Sequence, residues 1–253
     1  MLSSAYQRYD ARLNLGHTSN KLYMGINIST SYSYDDFVTT GTGVNEGAGV
    51  LYAGRNYDPT LSIFDSEGNY NTSSFTDMEN PLAMVNGELR DAHNYRTLGT
   101  VFGEYTILKG WTAKLNIGFD VKNTRSDSYV SRLTKDGTNN GGIGTVSTGT
   151  RNNYLGELTS TYTRDIGTSS NLTAMAGVTY QKFTSVAFRG TGRGFPVDES
   201  MTNNMEIADP LLYTMSSSKQ NNKLLSYIGR VNYSLLNKFL FTATLRVDGS
   251  SRF

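Results

Sequence analysis

The residues able to do chemistry are few and poorly spaced for it. His17 and His93 are the only histidines, far apart and without a metal-spaced partner, so each reads as a solvated side chain of a turn or loop. There is no cysteine, which excludes thiol nucleophiles, thiolate metal sites and disulfides. Asp65-Ser66-Glu67-Gly68-Asn69 superficially suggests a calcium loop, but it lacks the spaced acids and closing Glu of one and reads better as a turn. Gly190-Thr191-Gly192-Arg193-Gly194 has no Lys-Ser/Thr to complete a phosphate cradle. No Gly-x-Ser-x-Gly elbow or His-Glu-x-x-His pair occurs. The reading is no enzyme and no cofactor. What remains is binding chemistry. Tyr52, Tyr57, Phe64, Tyr70 and Phe75 are interleaved with Asn and Asp, which suits stacking on a polar ligand and hydrogen bonding to it. The same rings serve equally well to pack their loop on itself or on a partner.

The elements that position these residues follow from composition and period. In 253 residues there are 26 glycines, 17 tyrosines and only 4 prolines, with Ser, Thr and Asn in place of the Ala, Leu, Glu and Lys that long helices need. An all-β chain is expected. A net charge of +1 argues against a basic nucleic-acid binder, so no nucleic-acid partner is expected. No apolar run approaches the roughly 18 residues of a spanning helix, and no secretory signal follows Met1.

Trp111 to Lys122 alternates strictly, with Trp111, Ala113, Leu115, Ile117, Phe119 and Val121 on one face and Thr112, Lys114, Asn116, Gly118, Asp120 and Lys122 on the other. Similar alternation predicts about eight strands, over 8–15, 22–34, 95–107, 111–122, 151–162, 172–181, 225–234 and 239–248. Short connections (16–20, 108–110, 165–170, 236–238) alternate with long polar ones (35–94, 123–150, 184–222), the latter carrying Gly41-Thr42-Gly43 and Gly141-Gly142-Ile143-Gly144. Loops of that length count against a compact soluble domain. Short periplasmic turns and long extracellular loops are the asymmetry of an outer-membrane barrel.

With the apolar parity facing lipid, nearly every strand charge falls on the other face. Arg164 and Lys182 are the exceptions, expected at strand ends where they can snorkel. Lys114, Asp120, Arg230, Asn232, Arg246 and Asp248 are therefore candidates for the lumen lining. Trp111, Tyr162, Tyr233 and Phe239 flank the short turns on the lipid parity, as interface aromatics should, and further tyrosines mark the long-loop ends. A soluble β-sandwich would show the same alternation and stays open on this reasoning.

The run from Ser226 to Ser234 (with Arg230-Val231-Asn232-Tyr233) and then Lys238 to Phe253 (closing Asp248-Gly249-Ser250-Ser251-Arg252-Phe253) resembles a hairpin of the SusC/RagA-type TonB-linked outer-membrane transporters of Bacteroidetes. Weaker echoes are Phe64-Asp65 with Gly68-Asn69-Tyr70, Asn80-Pro81-Leu82-Ala83, Leu108-Lys109-Gly110 and Gly194-Phe195-Pro196. Val247 departs from the charged or polar residue common in the family. The resemblance implies an antiparallel up-and-down transmembrane β-barrel segment. Residues 1–253 would be a partial barrel domain, without plug, N-terminal extension or signal peptide, from a barrel of about 22 strands. It implies uptake of oligosaccharides or peptides across a bacterial outer membrane, with wall, lumen lining and extracellular loops supplied here. The implied partners are a SusD-like surface lipoprotein, the TonB complex (contacted outside this chain), outer-membrane lipid and a polar nutrient that Tyr52, Tyr57 and Tyr70 would touch. A self-contained eight-stranded barrel of porin or adhesin type, closed between its first and last strands, is the remaining alternative.

Overall fold

The computed structural model describes residues 4–38, 49–73 and 78–252. Phe75, Phe253 and the Gly41-Thr42-Gly43 run fall outside them. Eight strands form one antiparallel sheet in sequential order: β1 Ala5–Ser19, β2 Leu22–Asp36, β3 Glu88–Leu108, β4 Trp111–Val130, β5 Ile143–Ile166, β6 Ser170–Arg193, β7 Thr214–Leu235 and β8 Phe239–Ser250. Among the described residues, three short α-helices lie in the connections, α1 Gly49–Asn56, α2 Pro81–Gly87 and α3 Lys135–Asn140. Each of the last two has a local reason. Asn80 caps α2, accepting from Leu82 N at 2.9 Å, with Pro81 at the first helical position. Thr134 caps α3 and Gly141, left-handed at φ 65°, ends it.

The strands outrun the expected ones on their loop side. Residues 88–94, 123–130, 143–150, 184–193 and 214–222, read as loop, are paired strand. Polar residues dominate both faces there, with exceptions such as Val186 and Phe188, so period 2 weakens in the sequence although the ladder continues. The connections shrink to 37–87, 131–142 and 194–213, against tight turns at 20–21, 109–110, 167–169 and 236–238. The long-versus-short asymmetry survives. At the second turn Gly110 has φ +80°, and a Cβ there would stand 2.3 Å from Thr163 O, so the chain has room for nothing larger.

Register carries the fold. One row runs His17, Met24, Gly103, Leu115, Leu158, Val178, Tyr227, Val247 across all eight strands, and every member has the apolar parity. A slip of one residue anywhere would invert the two faces beyond that point. No second sheet covers the apolar face among the described residues, and Leu158 and Leu245 are 50% and 71% exposed. The buried apolar clusters lie at the loop end instead. One gathers Val50, Ala53, Met78 and Met84, and the other Tyr129, Phe195 and Ala208. A sandwich buries its inner faces against each other, so that alternative does not hold. Nor does the sheet close on itself, for β1 and β8 are its two edges.

Candidate functional site

The polar face is continuous, and it holds the six residues singled out for it. On β4, Asp120 accepts two hydrogen bonds from the Arg96 guanidinium of β3, at 2.6 and 2.8 Å, and Lys114 Nζ stands 5.5 Å over the Phe102 ring. On the β7–β8 hairpin Arg230 Nε donates to Thr244 Oγ1 at 3.2 Å, and Asn232 Oδ1 accepts from Thr242 at 3.0 Å. Arg246 donates to Asp248 at 2.8 Å and to Ser226 Oγ at 3.2 Å. β5 and β6 separate the two groups, so they line one surface without forming one cluster. Between them run further polar pairs, Asn116 with Glu157 (3.0 Å) and Gln181 with Asn153 (2.9 Å).

The apolar face carries aromatic residues in two slanted belts. On the turn side Tyr105, Trp111, Tyr162, Tyr233, Phe241 and Phe239 follow one another from β3 to β8. Trp111 lies directly across from Tyr162, and its indole Nε1 donates to Ser160 Oγ at 2.8 Å. On the loop side, Tyr9, Tyr32 and Tyr95 share a row, with Tyr32 and Tyr95 ring centroids 4.8 Å apart. Phe119 and Tyr154, then Tyr180, then Tyr227 continue it. These belts do not follow the hydrogen-bonded rows. The row of Tyr9 reaches β7 at Lys219, eight residues short of Tyr227, six strands on. The row of Tyr105 reaches β8 at Leu245, six residues from Phe239, five strands on. At about 3.3 Å per residue and 4.8 Å per strand, both belts slant by about 40°. That is the tilt of strands in a membrane barrel, roughly 35–45°. Between the belts lie nine residues of β5 (Tyr154 to Tyr162) and eleven of β3 (Tyr95 to Tyr105). A tilted spanning strand needs about 9–11.

The exceptions to the charge rule follow from the same belts. Arg164 is near the end of β5, as expected, but Lys182 is inside the 24-residue β6 rather than at a strand end. It stands two residues beyond Tyr180, where the strand has already left the apolar band.

The loops form a cap at the far end of the sheet. All three tyrosines expected to touch a ligand take part in its packing. Tyr52 lies against the Val50 cluster, Tyr57 Oη donates to Asn71 O at 2.5 Å, and Tyr70 Oη accepts from Asn86 at 2.9 Å with its ring 4.9 Å from Phe64. Asp65 Oδ1 accepts from the Glu67 and Asn69 amides, both at 2.8 Å, which makes 65–69 a turn and holds the Asp65 carboxyl below its ordinary range. Asn80, 2% exposed, is the hub, for its Nδ2 donates to Ile63 O and Asn71 O while its oxygen caps α2.

A second node escaped sequence reasoning altogether. Asp198 accepts from Tyr129 Oη (2.7 Å), Arg132 Nη1 (2.7 Å) and Arg132 N (3.0 Å), fastening segment 194–213 to the end of β4. No motif marks it, because the three residues come from the end of β4, the loop that follows it and a distant loop.

Glu79 gives the cap a pH dependence. It accepts from Lys135 N at 2.6 Å and Asn80 N at 3.2 Å, yet burial, aided by the Glu88 charge, pushes its carboxyl above the ordinary range. The folded cap therefore binds this proton more tightly than the open one, and stability falls as pH rises from the ordinary carboxyl range through the raised value. Hydrogen exchange at residues 78–88, corrected for intrinsic rates, should show more protection at pH 5 than at pH 7. Glu79→Gln, which keeps an acceptor oxygen, should remove the difference; an unchanged pH profile in that variant assigns the effect elsewhere.

No protein-family model matches the chain. The TonB-dependent receptor P3 of Formosa agariphila is 29% identical over 259 residues, covering 100% of this chain and 26% of that protein. The TonB-dependent receptor SusC of Bacteroides thetaiotaomicron is 26% identical over 275 residues, covering 99% and 26%. The chain thus spans about a quarter of the length of these curated relatives. Among solved structures, the RagAB peptide importer in its open-open state superposes with a TM-score of 0.80, at 22% identity over 98% of this chain and 28% of that one. The closed-closed state gives 0.75. These relatives are receptors and importers rather than enzymes. Along its whole length, then, the chain is similar to the SusC/RagA-type TonB-dependent receptors, and it has the fold of eight consecutive strands of such a receptor's barrel wall.

Proposed function

We propose that this chain is outer-membrane barrel wall in a TonB-dependent uptake system for polar nutrients, oligosaccharides or peptides. The observation that carries the reading is the pair of parallel aromatic belts, slanted across the hydrogen-bonded rows and enclosing an apolar band of spanning height. In this reading the polar face, with Lys114, Asp120, Arg230, Asn232, Arg246 and Asp248, lines the lumen. The capped loops form the outer vestibule, which Tyr52, Tyr57 and Tyr70 hold in shape while offering their part-exposed ring faces to a nutrient. Trp111, Tyr162, Tyr233 and Phe239 sit at the periplasmic interface. Hydrocarbon tolerates no unpaired backbone, so β1 and β8 pair with neighbouring barrel strands. A SusD-like lipoprotein would cover the outer mouth and the TonB complex would supply energy from within, its contact lying outside this chain.

The lack of native cysteine in this chain makes the test direct. In outer membranes, single cysteines at Lys122→Cys and Asn232→Cys should react with a charged, water-soluble maleimide, while Leu158→Cys should be protected. Uptake of fluorescent oligosaccharides or peptides should require both the intact gene and an energised inner membrane. Equal labelling on both faces, or uptake indifferent to gene disruption, would overturn the reading.

A further inference from the structure

On the polar face, at the height of the loop-side belt, three cations stand directly opposite one another. Arg96 of β3 pairs in register with Lys122 of β4, and Lys122 with Arg151 of β5. Like charges opposed across a ladder repel. Asp120 forms an ion pair with only one of them, Arg96, and its single charge also acts on Lys122 nearby, so the row keeps an excess of positive charge. Among the described residues neither Lys122 nor Arg151 makes an ion pair. Next to Arg151, on the loop side, a groove of about 390 Å³ crosses β4 to β7, lined on this face by Thr124, Ser126, Ser147, Arg189, Ser216 and Ser218. Gly149 and Ala187 keep its floor low. Ser126, Ser147, Arg189 and Ser216 form one row, so Arg189, also without an ion pair, projects from among hydroxyls at the groove's outer side. Arg151 and Arg189 are four residues and one strand apart in register, about 14 Å.

This is a rim of net positive charge around a hydroxyl-lined trough. We propose that it binds the carboxylate or sulfate groups of an acidic oligosaccharide, which makes that the substrate class of the uptake system; the inference rests on the polar face being the lumen. The excess positive charge favours an anionic ligand, and a ligand touching both Arg151 and Arg189 must be longer than a single sugar ring. The trough favours a saccharide over an acidic peptide. It lies mid-sheet, where every backbone N–H and C=O belongs to a ladder, so a peptide cannot add as a strand. Recognition falls to Ser and Thr hydroxyls, which donate and accept at once and so match sugar hydroxyls.

The test uses outer membranes carrying the intact receptor, with fluorescent oligogalacturonate, maltohexaose and hexaglutamate as probes. Oligogalacturonate should bind tightest, and rising salt should weaken it. The double variant Lys122→Gln, Arg151→Gln should lose at least tenfold in affinity and Arg189→Gln severalfold, while Lys238→Gln, in a turn at the other end, changes nothing. Maltohexaose binding as tightly as oligogalacturonate, or the double variant retaining full affinity, would overturn the anion assignment. Hexaglutamate binding tighter would overturn the saccharide assignment. Failure of all three probes while Lys122→Cys is labelled and Leu158→Cys protected defeats this inference alone; the reverse labelling pattern defeats the lumen assignment beneath it.

Discussion

Replacing Leu158 by Arg should be the most damaging single change in the sheet. Leu158 is midway between Tyr154 and Tyr162 on β5, with Leu115 and Val178 on either side in its row. It therefore stands at the midplane of the apolar band. A guanidinium facing lipid there costs about 2–4 kcal/mol, a factor of roughly 30 to 1000 in the folding equilibrium. Snorkelling offers little relief, since each interface is four residues away along the strand. The adjacent Thr159→Arg points to the opposite, polar face; it stands directly across from Lys114, and that like-charge pair in water should cost about 1 kcal/mol or less. The two variants differ by one position and introduce the same side chain, so the size and charge of the introduced group cancel in the comparison. The readout is the fraction of folded receptor in outer membranes, scored by altered gel migration before and after boiling. Equal yields for the two would sink the lipid assignment of this face.

The same parity explains what could be read from sequence. Where a strand separates lipid from water its period of 2 is unmistakable, as from Trp111 to Lys122, and the eight strands and the six polar-face candidates follow from it, while their order was legible from the short connections and the family resemblance. Beyond the belts both faces meet water, the period disappears, and Asn123–Val130 reads as loop though it pairs residue for residue with Ile143–Thr150. Backbone pairing needs no alternation; only its visibility does. The turns at 65–69 and 108–110 were legible because glycine and Asx chemistry is local, whereas the Asn80 cap of α2, seen in sequence only as a family echo, was not read as one. The Asp198 node and the opposed row Arg96, Lys122, Arg151 were not. Each depends on which residues meet across the sheet, and one sequence does not state its register.

The cap should fail separately from the wall, and Phe195→Ala is the change to show it. Phe195 is 1% exposed, meets Tyr129 edge-on at 5.2 Å, and fills the space above Gly144, where a Cβ would lie 2.7 Å from its ring. Its carbonyl also accepts from the Arg132 guanidinium, which in turn holds Gly141 O at 2.9 Å and Asp198 at 2.7 Å. Removing a buried Phe side chain costs about 3–5 kcal/mol when the structure cannot collapse around the gap. Here the affected cluster is small, made of Tyr129, Ala208 and their neighbours, so the loss saturates once segment 194–213 detaches. The ladders from β4 to β7 do not depend on that contact. The expected result is therefore local: thermolysin cleavage within 194–213 rises by two orders of magnitude or more, while thermal unfolding of the barrel wall is unchanged. A parallel fall in wall stability would show that cap and wall unfold as one unit. In that case the outer loops would help to hold the strands, and the vestibule would not be free to move without them.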